Sequence, residues 1–243
     1  MTKDYFSTRQ LALLLSIFAA SASSYCLADG TVIDKTYHPY VDALEFEIEF
    51  RSLYQNQETS LANPQQLHQL SIGKSFGEKW FAEAYLVGQK QHRGGFDLDA
   101  IELELKLQLT EQGEYAVDWG LLFEYENVID ADAQEFTVAL LAEREFGRWS
   151  ATTNLLLIQE WGDDIKDEFE TALSFQTRYR YSRAFEPAVE LYAGQGTLGI
   201  GPVFLGSMKL GVRKSIIWEA GLILGMDNQT PDQTFRFLLE YEF

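Results

Sequence analysis

The chain has 243 residues, 46% of them hydrophobic and 14% aromatic, with 18 glycines and 5 prolines, which suits one large domain and not a disordered tail. Nineteen Lys and Arg against 37 Asp and Glu leave a formal charge of −18, excluding nucleic acid as a partner because phosphate neutralisation needs a basic face. One cysteine excludes an internal disulfide, and with three histidines it supplies no set of zinc ligands, so neither metal nor other cofactor is expected.

In chain order the first element is an export signal over residues 1–28. Lys3 and Arg9 precede a short apolar run, Leu11 to Ala20, and small residues follow up to Ala28. Cleavage after Ala28 or Ala22 fits; Tyr25 is too bulky to precede a lipidated Cys26. The apolar run is too short for a spanning helix, and no later stretch approaches eighteen apolar residues. Residues 29–41, including Tyr37 to Val41, read as a periplasmic lead-in to the first strand.

From residue 42 to 243 the chain alternates with period two. In Leu44 to Arg51 every even residue is apolar and every odd one charged, which puts the two sets on opposite faces of a strand and scatters them around a helix. Ile101 to Leu109, Tyr115 to Glu126, Glu168 to Tyr181 and Phe235 to Phe243 repeat the pattern. It predicts about twelve strands, near 42–55, 66–76, 79–89, 96–109, 114–126, 134–146, 148–160, 168–181, 184–194, 202–213, 215–226 and 233–243. All of these exceed the five or six residues usual in soluble sheets and suit tilted strands crossing a bilayer.

The connections alternate as well. Gly77-Glu78, Thr110 to Gly113, Gly147-Arg148, Ser182-Arg183 and Arg213-Lys214 read as tight turns; Asn56 to Gln65, Lys90 to Gly95, Asn127 to Ala133, Trp161 to Asp167, Gln195 to Gly201 and Asp227 to Asp232 read as longer loops. Short turns on one rim and longer loops on the other mark an up-and-down membrane barrel, and an even strand number puts both termini in the periplasm. Aromatics at strand ends, among them Trp80, Trp119, Trp149, Trp161 and Trp218, predict girdles at the headgroup level.

The ending Phe235-Arg-Phe-Leu-Leu-Glu-Tyr-Glu-Phe243 places Phe235, Phe237, Leu239, Tyr241 and Phe243 at alternate positions. It resembles the assembly signal of Gram-negative outer-membrane β-barrel proteins. The resemblance implies export to the periplasm, contact with periplasmic chaperones, insertion by the barrel assembly machinery, and a closed antiparallel barrel among outer-membrane lipids and lipopolysaccharide. The size also resembles the small, twelve-stranded channels, although no residue motif ties the chain to them.

For chemistry, His68-Gln-Leu-Ser71 is the nearest segment to the His-x-Ser-Asn-Gly of outer-membrane phospholipases, but odd spacing on a strand separates the two side chains. A surface hydrolase is the third reading, resting on His92 and the acids Asp163, Asp164 and Asp167 on outer loops; acidic loop tips more commonly meet bridging cations. The chain is expected not to be an enzyme. With apolar residues facing lipid, the inward acids are Glu45, Glu47, Glu49, Glu102, Glu104, Asp118, Glu124, Glu126, Glu143 and Glu145, joined at the closing seam by Glu240 and Glu242. Arg178, Arg180, Lys209 and Arg213 are the inward bases, on a different arc of the wall. Leu122, Leu141, Leu156, Ile158, Ile217, Ile223 and Leu238 share the inward parity and would either plug the lumen or line a path for an apolar solute. A small cation-preferring channel is the leading expectation; a structural barrel with a filled lumen, binding a partner, is the second.

Overall fold

The computed structural model describes residues 32–56, 66–90 and 95–243. The export signal, the middle of the first loop and His92 lie outside the described residues. Twelve strands follow one another: β1 (Phe46–Asn56), β2 (Gln66–Phe76), β3 (Trp80–Lys90), β4 (Phe96–Gln108), β5 (Asp118–Val128), β6 (Gln134–Phe146), β7 (Trp149–Trp161), β8 (Glu168–Tyr179), β9 (Glu186–Gly194), β10 (Thr197–Lys209), β11 (Ser215–Gly225) and β12 (Gln233–Glu242). Each pairs antiparallel with its sequence neighbours, and β1 pairs with β12, so the sheet closes into a barrel without an edge.

Alternation fixes which face is which. Ile72, Leu86, Ile101, Leu103, Leu105 and Leu157 stand exposed on the outside, while Glu47, Glu49, Glu102 and Glu104 between them are buried inside. An outward apolar belt with a polar interior inverts the usual soluble arrangement and requires hydrocarbon around it. At the seam, Glu47 faces Glu242, Glu49 faces Glu240, and the Phe243 amide donates to the Phe46 carbonyl at 2.8 Å. Phe235, Leu239 and Phe243 all point outward. Of the five tryptophans, Trp80, Trp119, Trp149 and Trp218 sit towards the rim of tight turns, and Trp161 ends β7 at the rim of loops.

Three strand starts differ from the sequence pattern by four residues or more. β10 begins at Thr197 and not 202, because Gly199 and Gly201 interrupt the alternation that marks a strand. Gly201 is required there: a Cβ would lie 1.8 Å from the Leu222 carbonyl oxygen. The expected loop over 195–201 is consequently a tight hairpin at Gln195-Gly196, with Gly196 at φ 74°. β5 begins at Asp118 and not 114, since residues 109–117 form a turn in which the Asp118 carboxylate accepts the Gly113 amide at 3.0 Å. β1 begins at Phe46 and not 42, after Leu44 at φ 68°.

The largest difference concerns the N-terminal lead-in. β1 and β12 do begin and end at the turn rim, but the chain before β1 does not leave the barrel there. Residues 32–41 turn back into the lumen and run the height of the wall. Asp42 lies at the turn rim, its carbonyl accepting Ser75 Oγ at 2.5 Å. Tyr37 lies at mid-barrel against Asn154 of β7, and Val32 lies beside Gly194, at the loop end of β9. Ten extended residues reach about 33 Å, enough to cross a hydrocarbon core of about 30 Å.

Candidate functional site

Among the described residues the lumen concentrates the polar chemistry, and its wall is built from the inward residue of every second position. Its turn-side half holds a cavity of about 580 Å³ open to that rim. Twelve carboxylates line it against five lysines and arginines. Glu45, Glu47, Glu240 and Glu242 come together at the seam, with carboxylate oxygens within 4.8 Å of one another. Register explains this group: odd residues of β1 and even residues of β12 share the inner face only where first and last strands pair. Deeper in, Glu102, Glu104 and Glu124 of β4 and β5 form a second group within the same limit. Both are oxygen-donor sets of the type that hard cations take, although acidity alone does not make them a metal site.

The basic residues are arranged differently from the sequence expectation. Arg178 lies 3.8 Å from Glu143 and 3.4 Å from Glu186, and Arg180 is paired with Glu145. Arg178 of β8 and Arg180 just past it thus reach across β7 to the acids of β6, so on that side acids and bases pair and do not face each other as separate arcs. Lys209, the last residue of β10, is exposed at the rim, and Arg213 stands in the exposed turn between β10 and β11. Both stand at the turn-side mouth, where they line a recess beside Glu45 and Glu242 and not the depth of the lumen. Glu126 and the buried Asp118 keep their inward positions.

Two cations that matter most were not among the expected set. Arg51 and Arg236 are both 0% exposed. Arg236 donates to Glu190 at 2.9 Å, to Glu219 at 3.0 Å and to the Asp34 carbonyl. Arg51 pairs with Asp34 and bonds Glu49 at 3.0 Å. Their parity was legible in the sequence; their partners were not, since Glu190, Glu219 and Asp34 come from distant parts of the chain. Leu122, Leu141, Ile223 and Leu238 are buried inside as their parity indicates. Leu122 and Leu141 pack at mid-barrel against Tyr37, Leu238 lines the turn-side cavity, and towards the loops Ile33 packs among Tyr192, Val203 and Ile223.

Side chains of the segment bond to individual side chains of the wall. Lys35 donates to Glu49 at 3.1 Å and to the Tyr85 hydroxyl at 2.9 Å. The Tyr37 hydroxyl donates to Glu104, His38 Nδ1 lies 2.5 Å from Glu143, and the Tyr40 hydroxyl donates to Asp118 at 2.9 Å. On the loop rim, Asp163 and Asp164 do not meet a histidine among the described residues: their amides bond Asp132 across the neighbouring loop. His68 stands outside the barrel between Phe50 and Phe96, while Ser71 is inside and bonded to Glu83, so the two do not meet.

No family model matches the chain, and no curated protein does. Solved structures match closely in shape. The COG4313 outer membrane channel from Pseudomonas putida F1 shares 12% identity at a TM-score of 0.58, over 86% of this chain and 98% of that one. The KdgM porin in complex with disordered oligogalacturonate shares 11% identity at 0.53, over 81% and 98%. The NanC porin shares 10% at 0.52, over 81% and 98%. At such identities the likeness is one of fold. With the outward apolar belt, it makes this chain a twelve-stranded membrane β-barrel with the fold of those outer-membrane channels.

Proposed function

We propose that the protein is a small-solute channel of the outer membrane that prefers cations. The observation that carries this reading is the acid-lined cavity of about 580 Å³ opening at the turn rim. A lumen built only to stabilise the barrel gains nothing from carboxylates grouped within 4.8 Å of one another, whereas a cation pathway does. The solved structures of similar fold include porins, which supports transport. The oligogalacturonate of the KdgM complex is an acidic saccharide, and the net negative wall here would repel one, so small cations and neutral solutes fit this lumen better.

A second reading, a filled barrel that conducts nothing, is favoured by the segment 32–41 and by buried Leu122, Leu141 and Ile223 packed about it. Planar-bilayer recording separates the two. The full chain and a chain with residues 32–41 replaced by Gly and Ser are compared under a KCl gradient. A cation-selective reversal potential is expected, reduced by Glu45→Gln/Glu47→Gln/Glu240→Gln. Anion selectivity would sink the cation preference, and no current from either chain would leave the filled barrel.

A further inference from the structure

We propose that the lumen wall is a binding site for an extended peptide, and that residues 32–41 are its resident ligand. Three observations carry this. First, the segment forms no backbone ladder with any described strand, while the twelve strands close without it. It can leave with every strand pairing intact. Second, wall side chains take the place of a neighbouring strand. Asn154 Oδ1 accepts the Tyr37 amide and Asn154 Nδ2 donates to the Tyr37 carbonyl, both at 2.8 Å. Gln108 Oε1 accepts the Val41 amide at 2.7 Å, and Arg236 donates to the Asp34 carbonyl. Backbone recognition by main-chain hydrogen bonds, with pockets for individual side chains, is how peptides are read at sheet edges; here side chains supply both parts.

Third, the wall is hollowed where the segment passes. A Cβ on Gly120 would stand 3.0 Å from Pro39 Cα, one on Gly194 3.2 Å from Val32 Cγ2, and one on Gly199 3.2 Å from Ile33 Cδ1. The wall therefore lacks a Cβ at three separate contacts along the segment's length. The ligand class follows from the contacts: an extended, uncharged-to-cationic peptide with a lysine two residues before a tyrosine, so that Lys35 meets Glu49 and Tyr37 meets Glu104. Since the segment crosses the lumen from the loop side at Val32 to the turn side at Val41, its departure opens the passage. That last consequence rests on the channel reading; the binding itself does not.

The test uses the chain in which residues 32–41 are replaced by Gly and Ser, folded in lipid, and a fluorescent synthetic peptide of the sequence Val32 to Val41. Saturable binding to the replaced chain is expected. Binding to the wild type should be much weaker, because the tethered segment competes at high effective concentration. Asn154→Ala in the replaced chain should weaken binding about ten-fold, as two hydrogen bonds to Tyr37 are lost. In bilayers the replaced chain should conduct more than wild type, and the peptide should lower its current. Absence of saturable binding to the folded, replaced chain, or equal binding of a scrambled peptide, would overturn the proposal. Binding without current in either chain would overturn the channel reading and leave this one standing. Should the replaced chain not fold, the full chain with Gly120→Val/Asn154→Ala is digested with trypsin. Faster cleavage after Lys35 than in wild type is expected, and an unchanged rate would count against a displaceable ligand.

Discussion

At the scale of single residues, the interior is a set of local neutralisations rather than a smooth field. Arg236 is fully buried and holds two carboxylates, Glu190 and Glu219, and a carbonyl of the inner segment. Removing one partner of such a group leaves uncompensated buried charge, so Arg236→Met should destabilise the barrel by about 3–5 kcal/mol in urea unfolding from lipid vesicles. An unchanged midpoint would show that water reaches the site. On the loop rim, Asp227 accepts the Thr230 amide and hydroxyl at 2.8 Å and the Gln229 amide at 3.0 Å. Burial raises its carboxyl, but these bonds outweigh it and hold the group below its ordinary value of 3.8. A depressed carboxyl contributes order that is present above the unfolded value and lost as pH falls through the folded one. Amide protection at Gln229 and Thr230, corrected for intrinsic exchange, should therefore fall below pH 3.8, and Asp227→Asn should remove that dependence.

At the scale of elements, the closing strand decides whether a barrel forms. β12 must find β1, and the seam ends in the Phe243 amide on the Phe46 carbonyl with the two rings 4.7 Å apart. Deleting Phe243 removes one ladder bond and the last outward aromatic, leaving the edges of both strands easier to open. The heat-modifiable folded species in outer-membrane fractions should drop, and an undiminished yield would argue that the terminal residue plays no part in assembly. β10 shows a different lesson. Its glycines erase the alternation by which strands are recognised, yet Gly201 is what lets β11 approach, so the weakest-reading stretch of the chain is a tightly constrained strand.

At the scale of the molecule, charge is distributed unevenly around the lumen. The β6–β8 side is neutralised by Arg178 and Arg180, while the seam and the β4–β5 side keep grouped carboxylates. A fixed negative wall acts over the Debye length, about 10 Å at 0.1 M and about 3 Å at 1 M. Cation selectivity measured by reversal potential should accordingly weaken from low to molar KCl. Selectivity independent of salt would point to a steric filter in the segment region instead.

The sequence by itself determined the strands, their faces and the closed barrel, because period two assigns each residue to lipid or lumen without knowledge of its neighbours. It also determined that Glu45 and Glu47 meet Glu240 and Glu242, since closure of first strand on last follows from the pattern. Only the tertiary structure decided which inward charges pair, as with Arg236 and Glu190, forty-six residues apart. It alone decided that Lys209 and Arg213 stand at the mouth beside Glu45 and Glu242, and that residues 32–41 lie inside. That segment has no periodicity of its own; its conformation is imposed by single side chains of many strands, and those converge only after the barrel has closed.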